Sequence, residues 1–301
     1  MESISKFAHS SARQIFRSKV LKVCVISPKV VCVELQVPQS FSFHPGQWVD
    51  VIVSRNNELA KQQLSETFCF DKGFQKEFIK DLKDDPLDRD EFYNVTGFSM
   101  TSSPFVKEKI TLGIKLTDHY ITNFMHNHVK EGHVLNVAGP GGTFILPYQE
   151  FTNKTKRQLF LIGAGIGITP LLSIFHFIKD LNKLQNIEKI STTLLYSCRS
   201  EVECYFREEI INTTIDSDGT HKVHFFQSNT PDNYFVPSDN DQIQTHSGRI
   251  HIDNLKSCVD HTSIKDGIFM LCGPQPFIYD LEDQLSTLGV PRDRMHYEKW
   301  W

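Results

Sequence analysis

Two hydrophobic periods divide this chain. In the first half, apolar residues alternate with others, as Val31, Val33, Leu35 and Val37 do in one run and Ile110, Leu112, Ile114 and Leu116 in another. A period of two puts such side chains on one face of a strand, and a strand with one buried face belongs to an antiparallel sheet. Turn signals at His44-Pro45-Gly46 and Gly139-Pro140-Gly141-Gly142 separate the runs. Short strands in this arrangement predict a small closed barrel over residues 20–150. After Phe151-Thr152-Asn153-Lys154 the pattern becomes strand, helix, strand, which predicts a parallel α/β domain over residues 155–301.

The second half opens on the most informative segment, Gln158 to Pro170, where an apolar run ends in three alternating glycines and a helix start. Glycine leaves its backbone N–H uncovered and reaches conformations closed to other residues, so a pyrophosphate can approach Gly163, Gly165 and Gly167. Thr169 suits the N-cap of the following helix and Pro170 its first position. The positive end of that helix dipole would face the same phosphate. Glycine turns also join strands to helices for steric reasons alone, and the spacing here is not G-x-G-x-x-G. A second segment of the same design, Ile268 to Leu271 followed by Cys272-Gly273-Pro274 and a helix through Leu285, narrows the choice. With a third strand from Ser191 to Ser197, these turns are expected along the carboxyl edge of a parallel sheet, where nucleotides bind.

Two polar excursions interrupt the pattern. Residues 55–93 include KDLKDDPLDRDE and are too long for a hairpin, so they read as a solvated insertion, with a helix or lid as alternatives. Ser228 to Ser247 is the second.

Composition sets outer limits. The 301 residues are 40% hydrophobic and 23% charged, enough for two cores, and the net charge of −4 gives no electrostatic reason to expect nucleic acid. The 13 histidines show no metal-ligand spacing. Seven scattered cysteines, odd in number and without a C-x-x-C pair, point to a reducing compartment with no structural zinc and no iron–sulfur cluster, so no metal is expected. No apolar run approaches the roughly 20 residues needed to span a bilayer. Residues 1–19 carry Lys6, Arg13, Arg17 and Lys19 among Ser, Ala and Phe, with Glu2 as the only acid. This basic leader reads as a mitochondrial targeting segment or as a frayed basic terminus of a cytoplasmic protein.

In order, the landmarks are HPGQWVDV, GFSMTSS, a T-N-F helix start, a GPGG turn, GAGIGITP and LCGPQP. This order resembles the ferredoxin reductase superfamily, the flavin reductases that include cytochrome b5 reductase, from about Val20 to Trp301. The resemblance implies an FAD-type antiparallel barrel followed by an NAD(P)-binding α/β domain. Phe98 would lie against the flavin ring and Ser99 would reach its N5, with Thr101 and Ser102 beside them. Thr96 stands where the family motif has arginine. Ile121 and Thr122 fall in the helix start that binds the flavin pyrophosphate, where His119 replaces the family's glycine. Gly163, Ala164, Gly165, Ile166, Gly167, Ile168, Thr169 and Pro170 would hold the NAD(P) pyrophosphate, and Cys272, Gly273 and Pro274 would approach the nicotinamide.

Arg199 is placed near the adenosine ribose, where a guanidinium would favour NADP, or is a plain surface arginine. Ser99, Cys272 and Glu298 are the candidate catalytic positions, polarising and orienting the reacting groups. Trp301 either stacks on the flavin or, with Trp300, seals the domain interface. The implied activity is hydride transfer from NAD or NADP to FAD, with electrons passing to an unidentified small-molecule or protein acceptor. The open alternative is a flavin-less nucleotide-binding sensor or assembly protein.

Overall fold

The computed structural model describes residues 12–54, 64, 93–151, 158–185, 188–229, 240–258, 264 and 266–300. The chain divides into two compact units, Met1–Thr143 and Phe144–Trp301, so the division lies slightly upstream of the switch in sequence period.

The first unit contains β1 (Gln14–Ser27), β2 (Val30–Gln36), β3 (Trp48–Ser54), β4 (Tyr93–Ser99), β5 (Lys109–Lys115), α1 (Tyr120–Asn127) and β6 (Val134–Gly141). The strands pair antiparallel in the order β4-β3-β6-β1-β2-β5. A bridge between Met100 and Leu112, with the Thr101 N–H donating to the Thr111 carbonyl at 2.8 Å, joins the two outer strands. Val33, Leu35, Val49, Val51, Leu112 and Ile114 form the core that the alternation predicts, and α1 adds Ile121, Phe124 and Met125 from one of its faces.

Two expectations change in this unit. Gln14 to Lys19, grouped with the basic leader by composition, forms the start of the first barrel strand, paired with β6 from Gly139 to Val134. The alternation was hidden because its inward positions are Phe16, Ser18 and Val20. Ser18 is a polar residue that is fully buried, its hydroxyl donating to the Gln36 carbonyl at 2.6 Å. The charged excursion also returns to the core at Leu64, which is buried among the barrel residues and accepts the Val134 N–H at 3.0 Å. The rest of that insertion up to residue 92, residues 1–11, the segment 152–157, the middle of the second excursion and Trp301 lie outside the described residues.

The second unit contains β7 (Leu159–Ala164), α2 (Ile168–Asn182), β8 (Thr192–Cys198), α3 (Arg207–Ile215), β9 (His221–Gln227), β10 (Ile243–Ser247), α4 (Ile252–Cys258), β11 (Ile268–Pro274), α5 (Gln275–Thr287) and β12 (Met295–Trp300). All pairings are parallel, in the order β10-β9-β8-β7-β11-β12. The central strands β7, β8 and β11 are buried almost throughout, as strands covered on both faces must be. From β7 the chain steps outward through β8, β9 and β10, then returns to the other side of β7 with β11. That reversal puts the switch point between the carboxyl ends of β7 and β11, where an open α/β sheet leaves a crevice for ligand.

Candidate functional site

Register brings the second unit's sequence candidates into one line. Tyr196, Gly163, Cys272 and Glu298 are successive partners across β8, β7, β11 and β12. Gly163 and Cys272 therefore flank the switch point, and Glu298, on the adjoining edge strand, stands beside Cys272. Close packing explains two of the glycines. A Cβ on Gly167 would lie 2.5 Å from the Cys272 carbonyl oxygen, and one on Gly273 would lie 2.9 Å from the Phe277 ring. Gly165 differs, because its φ of 55° is left-handed and nothing lies within 4 Å of where its Cβ would be. It needs glycine for conformation, and its outer side is open.

The turn is a single 3₁₀ turn, Gly165–Gly167, followed directly by α2 at Ile168. Thr169 is accordingly not the N-cap. Gly167 takes that position, and the Thr169 hydroxyl donates back to the Ile166 carbonyl at 2.9 Å. Pro170 sits within the first turn of the helix rather than at its start. The 3₁₀ turn uses up the residues that the sequence pattern assigned to a loop, so the helix begins earlier. Of the predicted segment, Ala164, Gly165 and Ile166 are accessible, while Gly163, Gly167, Ile168, Thr169 and Pro170 are buried. Backbone at Ala164, Gly165 and Ile166 is what a phosphate could reach.

Tyr196 braces this turn, a contact the sequence pattern did not signal. Its fully buried phenol donates to the Gly165 carbonyl at 3.0 Å and accepts the Tyr205 N–H at 3.2 Å. Burial pushes the phenol well above the usual tyrosine range, so it stays a neutral donor. The only sequence signal was a tyrosine near the carboxyl end of the strand TTLLYSC. Arg199 is exposed on the loop after β8. Tyr205, further along the same loop, is only 2% exposed, so its ring belongs to the interior and its backbone to the Tyr196 bond.

The Glu298 carboxyl is pushed up to about 7 by burial, and its Oε2 finds no hydrogen-bond partner among the described residues. Cys272 is fully buried. Pro274, at the end of β11, is exposed. Together these residues present a short accessible turn, a buried thiol and a carboxyl that changes protonation near neutrality.

In the first unit, Ser99 pairs with Trp48, and Gly97 with Asp50. Ser99 is 2% exposed, and its Oγ has no hydrogen-bond partner among the described residues. An orphaned buried hydroxyl suits a polar ligand atom. Phe98 turns the other way and packs in the barrel core, so its ring is a core residue and not an open stacking platform. Thr101 and Ser102 are engaged with Thr111, the first through its hydroxyl to the carbonyl at 3.3 Å and the second by accepting the N–H at 3.1 Å. At the start of α1, Ile121 is buried in the core and the Thr122 hydroxyl donates to the His119 carbonyl at 2.9 Å. The side chains at these two positions hold the helix in place. What α1 can offer an anion is the backbone N–H groups of its first turn.

Arg13, Trp48 and Asp50 also gather here unforeseen. The Arg13 guanidinium pairs with the Asp50 carboxylate and lies 5.0 Å from the centre of the Trp48 ring. Burial raises Asp50 to about 6 even though Arg13 opposes the shift, so desolvation outweighs the pairing.

The fold is of the ferredoxin reductase type, an antiparallel barrel unit followed by a parallel α/β unit. Residues 161–283 match the model of the oxidoreductase NAD-binding domain. The chain is 28% identical over 299 residues to oxidoreductase NAD-binding domain-containing protein 1 of Homo sapiens, covering 94% of this chain and 79% of that protein. A flavohemoprotein of Vibrio cholerae is 30% identical over 178 residues, 59% of this chain and 38% of that protein. Among solved structures, the FAD/NAD-binding domain of nitric oxide dioxygenase from Vibrio cholerae superposes with a TM-score of 0.66 at 21% identity, covering 94% of this chain and 98% of that one. A ferredoxin NADP+ reductase from Neisseria gonorrhoeae with bound FAD and NADP gives 0.65 at 16% identity, with 97% and 100% covered. Both superpositions are evidence of fold.

Proposed function

We propose that this protein is an NAD(P)H-dependent flavin oxidoreductase that delivers electrons to a small-molecule or protein acceptor. The observation that carries the reading is the line of Gly163, Cys272 and Glu298 at the switch point beside the accessible, positive-φ turn at Gly165. With NAD(P)H and FAD bound, the nicotinamide would be the hydride donor and the flavin the acceptor. The chain's own residues supply binding and orientation. Backbone N–H groups at Ala164, Gly165 and Ile166 would hold the nucleotide phosphates. The buried Cys272 and Gly273 would leave room for the nicotinamide, and Arg199 lies on the loop that would select between NAD and NADP. The Glu298 carboxyl, shifted to about 7, can hold or release a proton at working pH.

The barrel supports FAD through the orphaned Ser99 hydroxyl and the first turn of α1. Thr96 and His119 stand where relatives have arginine and glycine, which favours a second reading, a nucleotide-binding protein without turnover. The absorbance spectrum of the purified protein separates the two. Flavin bands in the visible, bleached by NADH or NADPH, support the oxidoreductase. A colourless protein that takes up neither FAD nor FMN in a fluorescence titration, yet binds NADH, supports the second reading. Among the described residues no helix is long and apolar enough to cross a membrane. The mitochondrial location rests on the composition of the first residues alone, and imaging of a full-length fluorescent fusion tests it.

A further inference from the structure

Cys24 on β1 and Cys32 on β2 are direct partners across an antiparallel ladder. Directly opposed side chains share one face of the sheet, with Cβ atoms about 4.5 to 5.5 Å apart. The neighbouring pairs Val23 with Val33 and Val25 with Val31 include two fully or nearly buried valines, Val33 and Val31, which belong to the barrel core. The two cysteines therefore face outward, and both are partly exposed. On the far side of Cys32 its β5 partner is Gly113, which places no side chain over that flank.

We propose that Cys24 and Cys32 form a reversible disulfide, making this outer face of the barrel a site of oxidation by hydrogen peroxide or a low-molecular-weight disulfide. A disulfide wants Cβ atoms about 3.5 to 4.5 Å apart, so the strands must close by up to roughly an ångström. The ladder can yield, because register irregularities bracket the pair on both sides, between Val20 and Lys22 and between Val25 and Ser27. A cross-link that forms under such closure is exposed and mildly strained, which is the labile kind.

The chemistry balances without any group from the protein's cofactor sites. One thiolate attacks a peroxide oxygen, forming an S–O bond and breaking O–O, with one water leaving after protonation. The second thiolate attacks that sulfur, forming S–S and breaking S–O, and a second water leaves. Two thiols are oxidised by two electrons and one peroxide is reduced. With a small disulfide as oxidant, two exchange steps release two small thiols instead, and a dithiol reductant reverses the modification. Cys198, Cys204 and Cys272 are buried, so they are shielded from the same oxidants while the protein stays folded.

The test uses the full-length, reduced protein under native conditions. It is exposed to oxidised glutathione or to hydrogen peroxide, quenched with a maleimide, and mapped by peptide mass spectrometry. We expect a linked peptide pair joining Cys24 to Cys32, about 2 Da lighter than the reduced pair, and its disappearance on treatment with dithiothreitol. Cys24→Ser should abolish that link and leave Cys32 as a glutathione adduct. The proposal is overturned if Cys24 and Cys32 each take up maleimide or glutathione separately in the wild-type protein, or if the link forms only in urea.

Discussion

The phenol of Tyr196 lies 3.0 Å from the Gly165 carbonyl and 3.2 Å from the Tyr205 amide nitrogen, so one buried hydroxyl ties the glycine turn after β7 to the loop after β8. These are the segments that would carry the pyrophosphate and the adenosine ribose. Both bonds go to backbone, so the arrangement does not depend on the side chains of the residues it holds.

Tyr196→Phe preserves the ring and removes both bonds, taking the phenol from the half-buried Gly165 carbonyl and leaving the buried Tyr205 N–H without its partner. The expected cost is about 1 to 3 kcal/mol. For a protein of this size the melting temperature should fall by a few degrees, about 2 to 4 °C for each kcal/mol. NADH affinity should fall as well, because the Gly165 turn is no longer held in place. Thermal melts and calorimetric titration measure the two effects, and a melting shift with unchanged NADH affinity would show that the bond serves stability only.

Gly165 and Gly167 should separate binding from folding. At Gly165, alanine meets open space but must adopt a left-handed φ, a cost of about 1 to 2 kcal/mol. Its methyl would cover the backbone offered to phosphate, so Gly165→Ala should bind NADH at least tenfold more weakly in a still-folded protein. At Gly167 a Cβ would sit 2.5 Å from the Cys272 carbonyl oxygen and 2.7 Å from its carbon. Neither backbone atom can swing aside, so Gly167→Ala should destabilise more than Gly165→Ala, by overpacking of about 1 to 3 kcal/mol or more. Equal melting temperatures for the two variants, or full NADH affinity in Gly165→Ala, would contradict this division of roles.

Glu298 gives a pH signature. Its folded value of about 7 exceeds its ordinary 4.5, so the folded protein favours the protonated carboxyl. That contribution is fully present below pH 4.5 and is lost as pH rises through 7. Glu298→Gln, which cannot ionise, should therefore melt at a higher temperature than wild type at pH 8, and the difference should shrink as the pH is lowered toward 4.5. Calorimetric scans across that range check it; a constant difference at every pH would mean that Glu298 ionises normally. A parallel fall in NADH-driven reduction at neutral pH would tie the same carboxyl to turnover.

Thr96→Arg should tighten FAD binding if the flavin phosphate lies near β4. A charged hydrogen bond contributes about 1.5 to 3 kcal/mol, roughly tenfold to a hundredfold in affinity. Ser99→Ala should act in the opposite sense by removing the unpartnered hydroxyl. Quenching of flavin fluorescence on titration reads both. No change in either variant would place any flavin away from this strand.

The sequence alone determined the two periods, the switch near residue 151 and the two glycine turns, because alternation and glycine spacing act over a few residues and survive without tertiary context. It also determined the order of landmarks, and with it the resemblance in fold to the ferredoxin reductases. What it could not show was decided by pairing between distant segments. Gln14 to Lys19 read as part of a basic leader because of Arg17, Lys19 and their neighbours, and Ser18 masks the strand alternation; its bond to Gln36, 18 residues on, shows that serine to be an interior residue. Thr169 was a sound N-cap by type and lost the position because the 3₁₀ turn started the helix one residue before it. Gly163, Tyr196, Cys272 and Glu298 span 136 positions of sequence and meet only through strand register. Local chemistry fixes what a segment prefers to be, whereas hydrogen-bonded register across a sheet decides which segments become neighbours, and the candidate site is made of neighbours.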